Sequence, residues 1–253
     1  MTELKRQNAI LELLHRQGSL TINEIVNGFS VSPATARRDI TKLDTQGKLK
    51  KVRNGAYVAE ESNKSTTWSP MNIHQTSNYD EKSKIAKKAA ELCKNGESIV
   101  INCGSTAFLL GQEINGKPVQ VITNYFPLLN YLIEQNHDNL VVLGGQFYKE
   151  KNLFLSTDQT SDAFYAGHYM FTSGSGLSEE GLFKVDLLSA MVEQKMVKHV
   201  NKLVALVDSS KVGGRIGTIF ATAEQLDIVI TGKDANPKVV AALKEKGVDV
   251  ILV

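Results

Sequence analysis

The chain has 253 residues, of which 42% are hydrophobic, enough for one large domain or for a small and a medium domain with ordered cores. Its two cysteines, Cys93 and Cys103, lack CxxC spacing, which argues against a structural zinc site and fits a reducing cytoplasm. The polar N-terminus predicts no signal peptide, and no apolar run approaches the about 20 residues of a membrane span, so no membrane partner is expected.

The formal net charge of +2 is unevenly distributed along the chain. Residues 1–58 carry ten Lys and Arg against five Asp and Glu, a net charge of +5, and the remainder carries −3. A basic N-terminal segment attached to a faintly acidic body indicates a polyanionic partner for the first part only.

Three helical patterns follow one another in the basic segment. The first runs from about residue 3 to residue 16. The second begins at Thr21, with Glu24 in the position of a capping box, and the third begins with Ser32 as N-cap and Pro33 at the first helical position. Their spacing predicts a shared apolar core formed by Ile10, Leu13, Leu14, Ile22, Ile25, Val26, Phe29, Ala36, Ile40 and Leu43.

The opposite face of the third helix suits the major groove of DNA. At about 100° per residue, Arg38 lies across from the buried stripe. Small residues permit close approach, arginine can bond guanine through two hydrogen bonds, and lysine can contact phosphate. The residues expected to contact DNA from this helix are Ser32, Ala34, Thr35, Arg37, Arg38 and Lys42.

A basic hairpin is predicted over residues 48–58. Asn54-Gly55 is a strong turn signal between two short strands. Lys50, Lys51 and Arg53 are then placed to contact the phosphate backbone, as a wing does. The alternative is a three-helix domain with an ordinary charged hairpin, which the ordered set of features disfavours.

The segment Ser32-Pro33-Ala34-Thr35-Ala36-Arg37-Arg38-Asp39-Ile40, followed by Leu43-Asp44 and the hairpin, resembles the signature of the DeoR family of bacterial regulators. The resemblance implies a winged helix-turn-helix domain over residues 1–58 that binds double-stranded operator DNA. The end of the wing departs from the family pattern, because Arg53-Asn54-Gly55-Ala56 stands where His-Gly-Gly-Ala is usual. Which wing residues contact DNA is therefore open.

Residues 59–70 are polar and aperiodic and predict a linker, in which Trp68 is expected to pack onto another part of the protein. An amphipathic helix is predicted from Asp80 to Cys93. Continuous apolar strands then alternate with helices, which predicts an α/β domain over residues 71–253 with a mostly parallel sheet covered on both faces. The predicted strands are 98–102, 119–123, 140–143, 169–172, 203–207, 228–230 and 250–252.

Polar and glycine residues follow these strands directly, where ligands bind in open α/β sheets. Gly104-Ser105-Thr106 opens a helix and can hold an anion on the helix N-terminus, and Lys211 adds a positive charge. The alternative is that glycines only make turns and that the lysine is a surface residue. The predicted effector site comprises Gly104, Ser105, Thr106, Thr123, Asn124, Gly144, Gly145, Ser173, Gly174, Asp208 and Lys211.

The same landmarks resemble the sensor domain of the DeoR family, which in turn resembles ribose-5-phosphate isomerase. The resemblance implies a phosphorylated sugar or sugar-acid effector, and no cofactor is expected. With one recognition helix per chain, a homo-oligomer is expected, either dimer or tetramer. Within the family, segments 68–72, 100–108 and 166–174 resemble the members that repress the operon for L-ascorbate utilisation. Their effector is L-ascorbate 6-phosphate, so the resemblance implies the same ligand here.

Two other functions compete with this interpretation. A sugar-phosphate isomerase needs a general base, yet the loop after the central strand holds no carboxylate before Glu179 and Glu180, which leaves only Asp208. An architectural DNA-binding protein would not need the polar residues at the sheet edge. The five histidines form no cluster in the sequence that predicts a metal site, so no metal is expected.

Overall fold

In a computed structural model the chain forms two compact units, Met1–Ser69 and Pro70–Val253, and each is described by itself. The predicted linker, Trp68 and Arg53 lie outside the described residues. Across the described ranges no helix is long and apolar enough to cross a membrane. The structure describes residues 3–17, 19–45, 48–52, 54–58, 73, 76–156 and 165–253.

The first unit has three helices and a small antiparallel sheet. Its second helix begins as predicted, because the Thr21 hydroxyl accepts from the Glu24 N–H and the Glu24 carboxylate accepts from the Thr21 N–H. The predicted stripes meet in one core, in which Ile10, Ile25 and Ile40 are fully buried. The elements are α1 (Glu3–Gln17), β1 (Ser19–Thr21), α2 (Ile22–Phe29), α3 (Pro33–Thr45), β2 (Leu49–Val52) and β3 (Gly55–Val58).

The hairpin of this unit differs from the prediction by one residue. Val52 pairs with Gly55, so Asn54 lies in the turn and Gly55 belongs to β3. The glycine is needed for another reason: a Cβ atom there would lie 2.0 Å from the carbonyl oxygen of Leu20. Gly55 thus lets β1, a strand that was not predicted, pair with β3.

The second unit is built on a seven-stranded sheet in which every strand pair is parallel, as predicted. The strand order is β15-β14-β12-β9-β4-β5-β6. Its strands are β4 (Ser98–Ile101), β5 (Gln120–Thr123), β6 (Leu140–Val142), β9 (Gly167–Ser173), β12 (Val200–Leu206), β14 (Ile228–Thr231) and β15 (Asp249–Leu252).

Helices cover both faces of this sheet. In chain order, the first three helices (79–92, 105–114 and 126–134) contribute to one core, and the last two (187–197 and 237–245) contribute to another. The α4 helix agrees with the predicted helix, and its Ile85, Ala86 and Ala89 are buried. The helices are α4 (Tyr79–Leu92), α5 (Ser105–Ile114), α6 (Phe126–Glu134), α7 (Leu187–Val197) and α8 (Pro237–Glu245).

Five short strands were not predicted. They form an antiparallel pair and a three-stranded antiparallel sheet in the order β10-β11-β13. The second of these matters for the site, because β11 is buried along its whole length and carries Lys184. The strands are β7 (Gln146–Tyr148), β8 (Leu153–Leu155), β10 (Gly176–Ser178), β11 (Gly181–Lys184) and β13 (Thr218–Thr222).

Candidate nucleic-acid interface and ligand site

The outward face of α3 is basic and exposed. Arg37, Arg38 and Lys42 are all exposed, as is the small residue Ala34. At the start of the helix the Thr35 N–H donates to the Ser32 hydroxyl over 3.2 Å, and the two hydroxyls of this pair lie 2.9 Å apart. This face therefore has the shape and charge that the sequence predicted for a helix in the major groove.

Asp39, the third residue of the Arg-Arg-Asp motif, points the other way. Its side chain is buried and accepts hydrogen bonds from Arg6 Nε at 2.7 Å and from Gln7 Nε2 at 3.1 Å. These bonds join α1 to α3 inside the unit. The motif thus combines two outward cations with an inward carboxylate that fixes the helix carrying them, a role that the sequence analysis had not assigned.

Lys51 connects the wing to α3 through two hydrogen bonds. Its N–H donates to Asp44 Oδ1 over 2.9 Å, and its ammonium donates to Thr41 Oγ1 over 2.8 Å. Lys50, the neighbour of Lys51 on β2, is exposed. These two hydrogen bonds place β2 against α3, so the cations of helix and wing form one basic surface.

Within the described residues of the second unit, five of the six buried side-chain atoms that lack a hydrogen-bond partner lie at the carboxyl ends of adjacent strands, β14, β12, β9, β4 and β5. Adjacent strands are about 4.8 Å apart, so the row extends roughly 19 Å along the sheet edge. Buried polar groups are normally hydrogen-bonded, and a row of atoms without such bonds marks a place where a polar ligand can bond; one of them, Asp208 Oδ2, faces the ammonium groups of Lys211 and Lys82. The atoms are Thr231 Oγ1, Asp208 Oδ2, Ser173 Oγ, Asn102 Oδ1 and Asn124 Oδ1.

The N-terminus of α5 lies in the middle of this row. Gly104 precedes the helix with φ 133°, and a Cβ atom there would lie 2.7 Å from both Cβ and Oγ of Ser173. Only glycine permits this close approach of the α5 start to the end of β9. Ser105 and Thr106 begin the helix, so the N–H groups of its first turn have no partner within the helix, and the anion site remains a prediction.

A buried ion pair that the sequence analysis missed lies beside the row. The Lys184 ammonium contacts the Glu193 carboxylate of α7 and donates to Thr172 Oγ1 over 2.7 Å. Glu193 also accepts from Asn102 Nδ2 at 2.9 Å and from the Cys103 thiol at 3.3 Å. Together these groups connect β11, α7, β9 and β4.

The carboxylate beside the central strands is that of Glu193, not of Glu179 or Glu180. Glu179 and Glu180 lie in the turn between β10 and β11 and form ion pairs with Arg215 at the surface. Glu193 reaches the strand ends from a helix that follows later in the chain. The only sequence signal was an acidic residue among the apolar positions of that helix.

Both cysteine thiols have raised pKa values. Burial raises the pKa of the Cys93 thiol to about 12. Burial and the nearby Glu193 carboxylate raise the pKa of Cys103 to about 12 as well. Both thiols are thus protonated and unreactive at neutral pH. Among the described residues no group of three or more His, Cys, Asp and Glu is arranged to hold a metal ion.

Asp208, which follows β12, connects the carboxyl end of that strand to the start of α4. Asn78 Nδ2 donates to its Oδ1 over 2.9 Å, and the ammonium groups of Lys211 and Lys82 lie 3.5 and 3.9 Å from its Oδ2. Burial opposes ionisation of Asp208, but hydrogen bonds from Ser210 and Asn78 and the two lysines outweigh it and lower its pKa. The carboxylate is therefore charged and forms the centre of a polar cluster.

The remaining predicted residues differ in what they contact. Thr123 Oγ1 donates to the Ile101 carbonyl over 2.7 Å, and Asn124 Nδ2 donates to the Phe154 carbonyl over 3.2 Å. A Cβ atom at Gly174 would meet Leu182 at 2.4 Å, and one at Gly145 would meet the Leu155 carbonyl at 2.4 Å, so both glycines allow close packing. Gly144 and Gly145 follow β6, four strands from Lys211, and the predicted residues form a row rather than one cluster.

Comparison with protein families matches both units. Residues 6–62 match a family described as the DeoR-like helix-turn-helix domain. Residues 77–233 match one described as the DeoR C terminal sensor domain. Proteins of Escherichia coli and Shigella sonnei, each named HTH-type transcriptional regulator UlaR, are 54% identical over 253 residues and the full length of both chains. These names agree with the prediction that the chain is not an enzyme.

Two solved structures are also similar. Ribose 5-phosphate isomerase A of Methanocaldococcus jannaschii is 28% identical, with a TM-score of 0.39, over 53% of this chain and 55% of that one. The sorbitol operon regulator SorC of Klebsiella pneumoniae is 11% identical, with a TM-score of 0.41, over 96% of this chain and 99% of that one.

Proposed function

The chain belongs to the DeoR family of DNA-binding transcriptional regulators, and from this premise we propose that it represses an operon for L-ascorbate utilisation and leaves its operator when L-ascorbate 6-phosphate binds. The ascorbate assignment is supported by the resemblance of segments 68–72, 100–108 and 166–174 and by the full-length relatives named UlaR. A repressor that binds bacterial DNA acts in the cytoplasm, and we propose this location here.

The proposal of an effector site rests on the row of buried polar atoms without hydrogen bonds beside the α5 N-terminus. A phosphate accepts hydrogen bonds from the first N–H groups of α5 and from the Ser105 hydroxyl, and Lys211 supplies positive charge. Hydroxyl groups of a sugar acid can donate to Asn102 Oδ1 and Asn124 Oδ1, and its carbonyl group can accept from the Ser173 hydroxyl. Gly104 and Lys211 follow strands two places apart, roughly 10 Å, which a phosphorylated six-carbon acid spans.

The regulator works as a homo-oligomer in this proposal. Each chain carries one recognition helix, α3, which reads one half-site of an operator. Two copies joined with a fixed spacing read both half-sites. The effector acts by binding the DNA-competent and DNA-incompetent arrangements with different affinity, and a coupling of about 1–3 kcal/mol corresponds to roughly 5- to 150-fold in operator affinity.

The test is a titration of the protein–operator complex with L-ascorbate 6-phosphate, repeated with Ser105→Ala and with Lys211→Ala. Both variants should bind operator as the wild type does and lose the release. Lys202→Ala is the matched control, because Lys202 is an exposed lysine near the amino end of β12, whereas the proposed site lies at the carboxyl ends of the strands. If another sugar phosphate releases the wild type and this compound does not, the ligand is misidentified; if no phosphorylated compound binds, the sensor function is refuted.

A further inference from the structure

A patch of exposed aliphatic side chains covers the outer side of α7 and the adjoining ends of β11 and β13. Its six members are between 42 and 64% exposed. Large aliphatic side chains are usually exposed singly, and here six occur in two short segments. The α7 patch consists of Val185, Leu187, Leu188, Met191, Ile216 and Ile219.

The two segments of the α7 patch are neighbours in space. Lys184, the last residue of β11, pairs with Thr218 of β13. A Cβ atom at Gly217 would lie 2.7 Å from the Cα atom of Val185, so the residues around position 217 lie against those that lead into α7. Within α7, Met191 follows Leu187 and Leu188 at spacings of four and three residues, which places the three on one helix face.

The α7 helix is apolar on both sides, which is unusual for a helix at a surface. Its inner side buries Ala190, Met196 and the Glu193 carboxylate. Its outer side, which would normally be polar, is apolar over the first two turns. The six side chains of the patch expose on the order of 500 Å² of apolar surface, within the range of the largest patches on monomeric proteins, which are often functional.

We infer that the α7 patch is the surface through which two copies of this chain associate, with α7 of one copy packed antiparallel against α7 of the other. The area supports a second copy as the occupant. Specific, stable protein–protein interfaces bury about 800 Å² per partner, and at the about 65% apolar share of homodimer interfaces this needs about 500 Å² of apolar surface from each copy. This inference rests on the oligomer proposed above and identifies the surface that forms it.

The charges of α7 favour the same arrangement. Asp186 caps the N-terminus of the helix, and Lys195 and Lys198 are exposed at its other end. An antiparallel pair related by a two-fold axis brings the acidic end of one helix towards the basic end of the other. The helix dipoles are then antiparallel as well. A surface of this kind is complementary to itself, as the interface of a two-fold dimer must be.

The experiment compares the mass of the full chain in solution with that of Leu187→Glu/Met191→Glu, by sedimentation equilibrium over a range of concentrations. The double variant should halve the mass of the assembly and raise the dissociation constant for self-association at least 100-fold. Ile133→Glu is the matched control, because Ile133 is 59% exposed on α6, outside the patch. Far-ultraviolet circular dichroism should give the same spectrum for all three proteins.

Three results would overturn the inference, and they differ in what else they affect. A monomeric wild type at every concentration rejects the proposed assembly and its surface together. An oligomeric wild type whose mass survives the double substitution rejects the surface and leaves the assembly standing. A double variant that keeps its mass and melts at a lower temperature indicates that another segment of the same chain covers the patch.

Discussion

Arg38 is the residue from which we expect the most sequence discrimination. It is exposed on α3 opposite the buried stripe, while its neighbour Asp39 is buried against Arg6 and Gln7. Arg38→Ala should weaken operator binding by about 1–3 kcal/mol and reduce the preference for operator over random DNA. Fluorescence anisotropy with both DNAs measures this. Equal losses on the two DNAs would make Arg38 a phosphate contact instead.

At the same scale, Lys184 and Glu193 should be strongly coupled. Removing one partner of a buried ion pair leaves an uncompensated charge, which typically costs about 3–5 kcal/mol. We expect Lys184→Met and Glu193→Gln each to destabilise the protein by that amount. The double variant should be less destabilised than the sum of the two, because neither charge remains. Urea unfolding of the four proteins gives the coupling energy, and additive losses would show that the pair is not coupled.

Among the elements, the wing should act on the DNA backbone. Lys50→Ala should make the dependence of log K on log salt shallower by about 0.9, because one phosphate contact is lost. Lys51→Ala should also remove the hydrogen bond that its ammonium donates to Thr41 of α3 and so loosen the wing from that helix. Lys244→Ala, a surface change on α8 of the second unit, serves as the control. A changed base preference with an unchanged salt slope would contradict a role for the wing in phosphate contact.

The start of α5 depends on a glycine that no other residue can replace without strain. Gly104→Ala should destabilise the protein by about 3 kcal/mol, because it combines an unfavourable φ of 133° with a contact at 2.7 Å to Ser173. Gly96→Ala is the control: its φ is 83°, nothing lies within 4 Å of the added atom, and about 1 kcal/mol is expected. Equal losses in urea unfolding would mean that the close approach has no energetic weight.

The elements also show what could be read from the sequence. The capping box at Thr21, the parallel strands and the helix opened by Ser105 were predictable, because each depends on nearby residues and on apolar spacing. Lys184 and Glu193 were not, because their pairing depends on how β11 and α7 pack. Gly55 was predicted in a turn, whereas it lies in β3, because its contact with Leu20 is invisible to a local pattern.

For the whole molecule, the question is how the sheet edge influences DNA binding. Asp208 and the neighbouring Ser209 and Ser210, here called the Asp208 cluster, bond Asn78 and Glu81 at the start of α4. Asn78 precedes α4 in a left-handed conformation, with φ 56°, and bonds both Asp208 and Ser210. Glu81 accepts from the Ser209 N–H over 2.6 Å. If the proposed effector binds Lys211, it draws this lysine away from Asp208, and we then expect the charge balance of the cluster and the anchoring of the α4 start to change.

Asn78→Gly tests this coupling without disturbing the backbone, since glycine adopts a positive φ readily and only the side-chain hydrogen bonds are lost. The variant should bind operator and effector with affinities close to those of the wild type. The factor by which effector weakens operator binding should fall from the roughly 5- to 150-fold of a typical allosteric coupling towards one. Asn136→Gly, at the same φ of 56° just after α6, is the control and should respond as the wild type does. Operator titrations with and without effector give the factor for each protein. An undiminished factor in Asn78→Gly would show that the signal reaches the DNA-binding domain by a route other than the Asp208 cluster.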